Sequence, residues 1–125
     1  MDIKPIDSVR FGYSNVLKTL YKKGKLPSVK FGFYGDEITP KTVTLEHLLP
    51  RSQKGRTELK NLVLASANKN QERGTCPLSE MINWEYAGRY FEQFRNIRVN
   101  GFDGNKYIEM VMNTIRELLN NERMV

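Results

Sequence analysis

Three observations predict a small α+β fold for this chain: short apolar runs at residues 43–49 and 61–65, a polar basic loop between them, and helical spacing of apolar residues on both flanks. A polar segment holding Asn68, Lys69 and Asn70 follows the second run at once, so the middle of the chain reads strand, loop, strand, helix. At 125 residues the chain is expected to form one domain, 1–125, with one modest core. A hairpin and one short helix bury too little area alone, so the flanking helices are expected to supply the scaffold.

The elements follow in order. From Asp7 or Ser8 to Lys23, the residues Val9, Tyr13, Val16, Leu17, Leu20 and Tyr21 keep helical spacing behind an N-cap, and Gly12 allows a start nearer Ser14. Lys22, Lys23 and Lys25 crowd the end of this helix, where positive charge suits the helix dipole and equally suits DNA phosphate. The run 29–39, VKFGFYGDEIT, reads as a strand or a hairpin turning at Gly35-Asp36. Beyond Gly74, TCPLS is a turn with Ser79 as N-cap. Trp84, Ala87, Tyr90, Phe91, Phe94 and Ile97 then form a stripe expected to be core rather than a platform for bases. Asn100-Gly101 and Asp103-Gly104 make a loop, and Ile108, Val111, Met112, Ile115, Leu118 and Leu119 mark a final amphipathic helix, so C-terminal helices are expected over 79–119.

Composition narrows the setting. No stretch approaches the ~20 apolar residues of a membrane span, and the opening MDIKPIDSVR lacks the apolar core of a secretory signal. Cys76 is the only cysteine, which rules out an intrachain disulfide or a multi-cysteine zinc site and fits a reducing, cytoplasmic compartment. The net charge of +6 is uneven: residues 1–30 carry seven Lys/Arg against two acids, 31–75 seven against five, and 76–125 six against seven. The excess lies before and within the central stretch. It is either a solvated face or the phosphate-binding face that a nucleic-acid partner requires.

His47, the only histidine, stands directly after Glu46. Neighbours on a strand point to opposite faces, so such a pair serves one site only at a strand end or an irregular turn, and Pro50 favours such an ending. A carboxylate suits a hard cation such as Mg²⁺, and an imidazole free of metal takes a proton from water near neutral pH.

Glu46-His47-x-x-Pro50, a basic loop over 51–60, Asn61 opening an apolar run, and Asn70-x-x-Arg73-Gly74 together resemble the ββα-metal motif of HNH endonucleases, the His-Me finger nucleases. The resemblance covers residues 43–74 and leaves the flanking helices uncovered. It implies a small ββα-metal core and a metal-dependent DNA endonuclease or nickase, in a bacterial or phage-infected cell. In that reading His47 is the general base and Asn61 fixes the loop and orients the histidine. Glu46 and Asn70 hold one Mg²⁺ or Mn²⁺ ion, with Asn68 the rival to Asn70. The resemblance places Arg73 on a phosphate, with Lys69 the weaker choice, and Arg51, Lys54, Arg56 and Lys60 of the loop are further candidates for phosphate contacts that position without specifying bases. A protein partner or a homodimer would be needed for double-strand cleavage in one event.

The departures from the family pattern also carry expectations. Many members hold a structural zinc with two Cys-x-x-Cys knuckles. Here Phe31-Gly32-Phe33-Tyr34-Gly35 and Ser66-Ala67-Asn68-Lys69 stand in those frames, so no structural zinc is expected and aromatic packing from Phe31, Phe33 and Tyr34 is expected to replace it. Glu46 stands where Asp is commoner, a change compatible with activity. The competing reading is a non-catalytic HNH-like DNA-binding or regulatory module.

Overall fold

The two central apolar runs pair as an antiparallel hairpin of β1 (Val43–His47) and β2 (Leu62–Ser66), with Val43 opposite Ser66 and His47 opposite Leu62. A computed structural model of the chain describes residues 16–123. The last rung of the ladder lies beyond β1, where Leu48 N–H donates to the Asn61 carbonyl at 2.9 Å. Both strands are displaced from the expected limits. β1 stops at His47 because Leu49 turns its N–H and its carbonyl onto the Asn61 side chain, and Asn61 closes a 3₁₀ turn (Leu59–Asn61) instead of opening β2.

β2 is buried along its whole length, as a short continuous apolar run implies when both faces are covered. Among the described residues its outer edge meets no third strand. Leu64 N–H donates to Tyr90 Oη at 3.0 Å, Leu62 carbonyl accepts from Tyr107 Oη at 2.7 Å, Leu64 carbonyl accepts from Phe33 N–H at 2.9 Å, and Ser66 N–H donates to the Asp36 carboxylate. The edge of β1 is covered in the same manner from α2 (Ala67–Arg73), which follows β2 without a loop. Asn70 Nδ2 donates to the Leu45 carbonyl at 3.1 Å and Arg73 Nη1 to the His47 carbonyl at 2.9 Å. Side chains and one turn thus take up outward backbone groups on both sides of a two-stranded sheet, in line with the demand that buried backbone groups find partners.

Residues 29–39 form a knuckle rather than a pair of strands. One bridge joins Phe31 to Glu37, and the chain reverses from Gly32 to Gly35, earlier than the expected Gly35-Asp36, because Phe33 and Tyr34 are drawn into the core. Phe33 meets Tyr90 edge to face at 5.8 Å, and Tyr90 meets Phe94, and Phe94 meets Tyr107, at 5.0 Å each. Aromatic packing in the knuckle rests on Phe33 and Tyr34, since Phe31 is 38% exposed.

The flanking helices close the core. α1 (Val16–Lys22) buries Leu17 and Leu20, while the expected start of this helix, with Val9 and Tyr13, lies outside the described residues. α3 (Leu78–Met81) begins after Pro77 and not at Ser79, whose N–H, like that of Leu78, donates to the Glu122 carboxylate. α4 (Trp84–Glu92) is capped by Asn83, which accepts from Tyr86 N–H. Its stripe of Ala87, Tyr90 and Phe91 is buried, but Trp84 in the first turn is 53% exposed and stands outside the core. The expected loop at 100–104 is a tight hairpin between β3 (Arg98–Val99) and β4 (Phe102–Asp103), with Asn100 and Gly101 at φ 49° and 82°, the left-handed pair that a two-residue hairpin turn demands. α5 (Gly104–Arg123) then runs back across the core and buries Tyr107, Val111 and Ile115. Among the described residues no helix is long and apolar enough to cross a membrane.

Candidate active site

The site gathers at the end of β1, where a strand, a loop and a helix meet. Glu46 is 4% exposed and points toward α2, so its carboxylate is enclosed. Its Oε2 accepts from Tyr34 Oη at 2.6 Å and from Arg73 Nη1 at 3.3 Å. Burial pushes the Glu46 pKa up, while the tyrosine hydrogen bond and the arginine charge oppose that rise. Tyr34 in turn is held well above its usual pKa, first by burial and then by the neighbouring carboxylate, so it stays a hydrogen-bond donor.

Arg73 departs from its expected place. It is 2% exposed, with Nε on the Cys76 carbonyl at 3.0 Å and Nη1 between Glu46 and the His47 carbonyl. Its guanidinium is an internal counter-ion and strand staple, and it is not presented to a phosphate in solution. The reason is geometric: Asn70 and Arg73 lie three apart on one helix face, and that face packs on β1.

His47 is half-buried. Its Nε2 lies 2.9 Å from Thr57 Oγ1, and among the described residues Nδ1 has no hydrogen-bond partner. Burial lowers the imidazole pKa, and the positive charge of Arg51 lowers it further. Such a ring is neutral and proton-accepting at neutral pH.

Asn61 is buried and braces the loop. Its Oδ1 accepts from Leu49 N–H at 2.9 Å, and its Nδ2 donates to the carbonyls of Leu49 at 3.1 Å and Arg56 at 2.9 Å. It makes no direct hydrogen bond to the His47 ring. Asn70 bonds Thr44 Oγ1 and the Leu45 carbonyl through Nδ2. Since a carbonyl can only accept, this fixes the amide orientation, and among the described residues Oδ1 makes no hydrogen bond. Asn68 is exposed and, with Lys69, lines a separate cleft of about 340 Å³ beside Asp36, Thr42 and Glu72. Of the two asparagines, Asn70 is the one that packs against the strand bearing Glu46 and His47.

Around this centre, Arg51 and Lys54 are exposed and have no acidic partner among the described residues, whereas Arg56 and Lys60 flank Glu58 at 3.6 and 3.8 Å. Lys69 pairs with Glu72 at 3.0 Å. The site includes two side chains that sequence reasoning did not bring to it. Tyr34 was legible only as a knuckle aromatic, and nothing in the loop sequence singles out Thr57.

A β-hairpin followed by a helix, with an acid-histidine pair ending the first strand and an asparagine on the helix, is consistent with a ββα nuclease core. Residues 34–76 match the family model described as HNH endonuclease. The search of curated proteins and the search of solved structures give no match.

Members of the family usually use a divalent metal ion and bind DNA. Among the described residues no group of three or more His, Cys, Asp or Glu side chains could hold a metal ion, so a site built from them would mix ligand types. Glu46 Oε1 and Asn70 Oδ1 fit that requirement. Both are hard oxygen donors, neither takes part in the hydrogen bonds described above, and Mg²⁺ binds through one or two carboxylates while keeping much of its water.

Proposed function

We propose that this protein is a metal-dependent DNA endonuclease or nickase that hydrolyses phosphodiester bonds with His47 as general base. One observation carries the reading: a half-buried imidazole, with no hydrogen bond to Nδ1 among the described residues, stands beside a buried acid and a helix asparagine that packs on the same strand. Glu46 and Asn70 would hold the divalent ion. When bound, the ion supplies Lewis-acid stabilisation of charge on the phosphate and the leaving 3′-oxygen.

The chain's own residues supply the rest. His47 Nδ1 takes a proton from the attacking water as the new oxygen-phosphorus bond forms and the bond to the 3′-oxygen breaks, which leaves a 5′-phosphate end. Tyr34 and Arg73 hold the Glu46 side chain against rotation through Oε2. Asn61 ties the loop to the strand end. Arg51 and Lys54 are the loop cations best placed for phosphate, since among the described residues neither is engaged by an acid. One such site cuts one strand per event.

The test is conversion of supercoiled plasmid in Mg²⁺, Mn²⁺ or EDTA, beside His47→Ala. Open circles should form with metal and not with EDTA, and His47→Ala should lower the rate on the order of 10²–10⁴-fold while the protein keeps its fold and DNA affinity. A variant as fast as the parent protein would remove the assignment. The internal pairing of Glu46 with Arg73 favours one second reading, a non-catalytic DNA-binding module. Retarded DNA on a gel without cleavage in any metal would select it.

A further inference from the structure

Asn61 and His47 do not touch, yet a continuous set of contacts joins them. Asn61 grips the chain at two separated points, both backbone groups of Leu49 and the carbonyl of Arg56. Between those points Gly55 passes so close to the strand end that a Cβ there would lie 1.7 Å from the Leu49 carbonyl oxygen, and Gly55 N–H donates to the Pro50 carbonyl at 2.9 Å. The backbone on either side of residue 56 is therefore fixed relative to β1. Thr57 is the next residue, and its hydroxyl reaches His47 Nε2.

We propose that Thr57 is a positioning residue for His47: its Oγ1 accepts the Nε2 proton, which fixes the ring in the Nε2–H tautomer and keeps the lone pair of Nδ1 for the attacking water. The alternative assignment has the threonine donate to Nε2. The proton would then sit on Nδ1, the nitrogen without a partner, and neither nitrogen would be available as a base. A hydroxyl can take either role, and in the proposed arrangement Thr57 Oγ1 is the acceptor, which leaves Nδ1 as the base. When Nδ1 takes a proton the ring becomes cationic, and Nε2–H remains on Thr57 throughout. Asn61 thus acts on the histidine through the loop and not by contact.

The inference rests on the nuclease reading for its catalytic consequence but not for its structural one. His47 is the only histidine, so ¹⁵N-histidine labelling gives one ring whose long-range ¹H–¹⁵N correlations report the tautomer without metal or DNA. At mildly alkaline pH, where the ring is neutral, the parent protein should show Nε2–H. Thr57→Val should shift it to a mixture of tautomers, and Thr57→Ser should restore the parent pattern. In plasmid nicking, Thr57→Val should lower kcat on the order of tenfold with KM for DNA unchanged, and Thr57→Ser should recover most of it. A parent ring protonated on Nδ1, or a tautomer indifferent to Thr57→Val in a folded variant, overturns the proposal. If the tautomer responds as expected and no form of the protein nicks DNA, the hold of Thr57 on His47 stands and the nuclease reading falls.

Discussion

His47 combines two influences that act in one direction. Burial removes water from the imidazolium, and Arg51 adds an unfavourable like charge, so the ring releases its proton below the ordinary ~6.5. Between that lowered value and ~6.5 the unfolded chain binds more protons than the folded one, so stability rises with pH across the window and is lost as pH falls through it. An NMR titration of the ring should give a midpoint below 6.5, and Arg51→Gln should move it upward. Nicking should decline in acid with the same midpoint. At this scale the sequence was partly legible. A lone histidine after an acid is visible in the chain, but the direction of a side chain is not. Arg73 shows the limit: a basic residue after the helix ligand reads as a phosphate contact, and only the packing of α2 on β1 turns it inward.

Asn70 and Arg73 both donate from α2 to the free edge of β1, one to the carbonyl of Leu45 and one to that of His47. The helix is seven residues long and too short to be stable by propensity. Its position relies on the Ser66 cap, these two staples and the buried Arg73–Glu46 pair. Arg73→Met should therefore cost about 3–5 kcal/mol, because it leaves a buried carboxylate without its counter-ion. Urea unfolding reads this directly, and a loss below about 1 kcal/mol would show that the pair is not a staple. The strand, loop, strand, helix order was legible because two apolar runs of strand length flank a polar loop. The exact ends were not. Asn61 looks like the first strand residue, but its amide bonds the loop and so ends a 3₁₀ turn.

Across the whole molecule, the C-terminal helices reach the hairpin through two tyrosines. Tyr107 spends its only hydroxyl proton on the Leu62 carbonyl, so Tyr90 must donate to Tyr107 and accept from Leu64 N–H. The two side chains form a directed relay from one backbone group of β2 to another, and burial pushes both phenol pKa values up, which keeps the protons in place. Tyr90→Phe and Tyr107→Phe should each cost about 1–3 kcal/mol by stranding buried partners. The double variant should cost less than their sum, because either change already breaks the shared bond. Urea denaturation of all four proteins measures that coupling, and strict additivity would dissolve the relay. The aromatic stripe of α4 was legible as core from its spacing. That the hydroxyls of Tyr90 on α4 and Tyr107 on α5 stand in for a third strand was not, since their partners lie 26 and 45 residues away in sequence.

A strand whose outer hydrogen bonds end on tyrosine hydroxyls is a strand whose docking edge is guarded by a removable part. A chain cut before α4 would lose both guards, which opens the Leu62 carbonyl and the Leu64 N–H of β2 while Phe33 and Asp36 still hold the Leu64 carbonyl and the Ser66 N–H. The same helices that support a small site thus also cover part of the edge of its second strand.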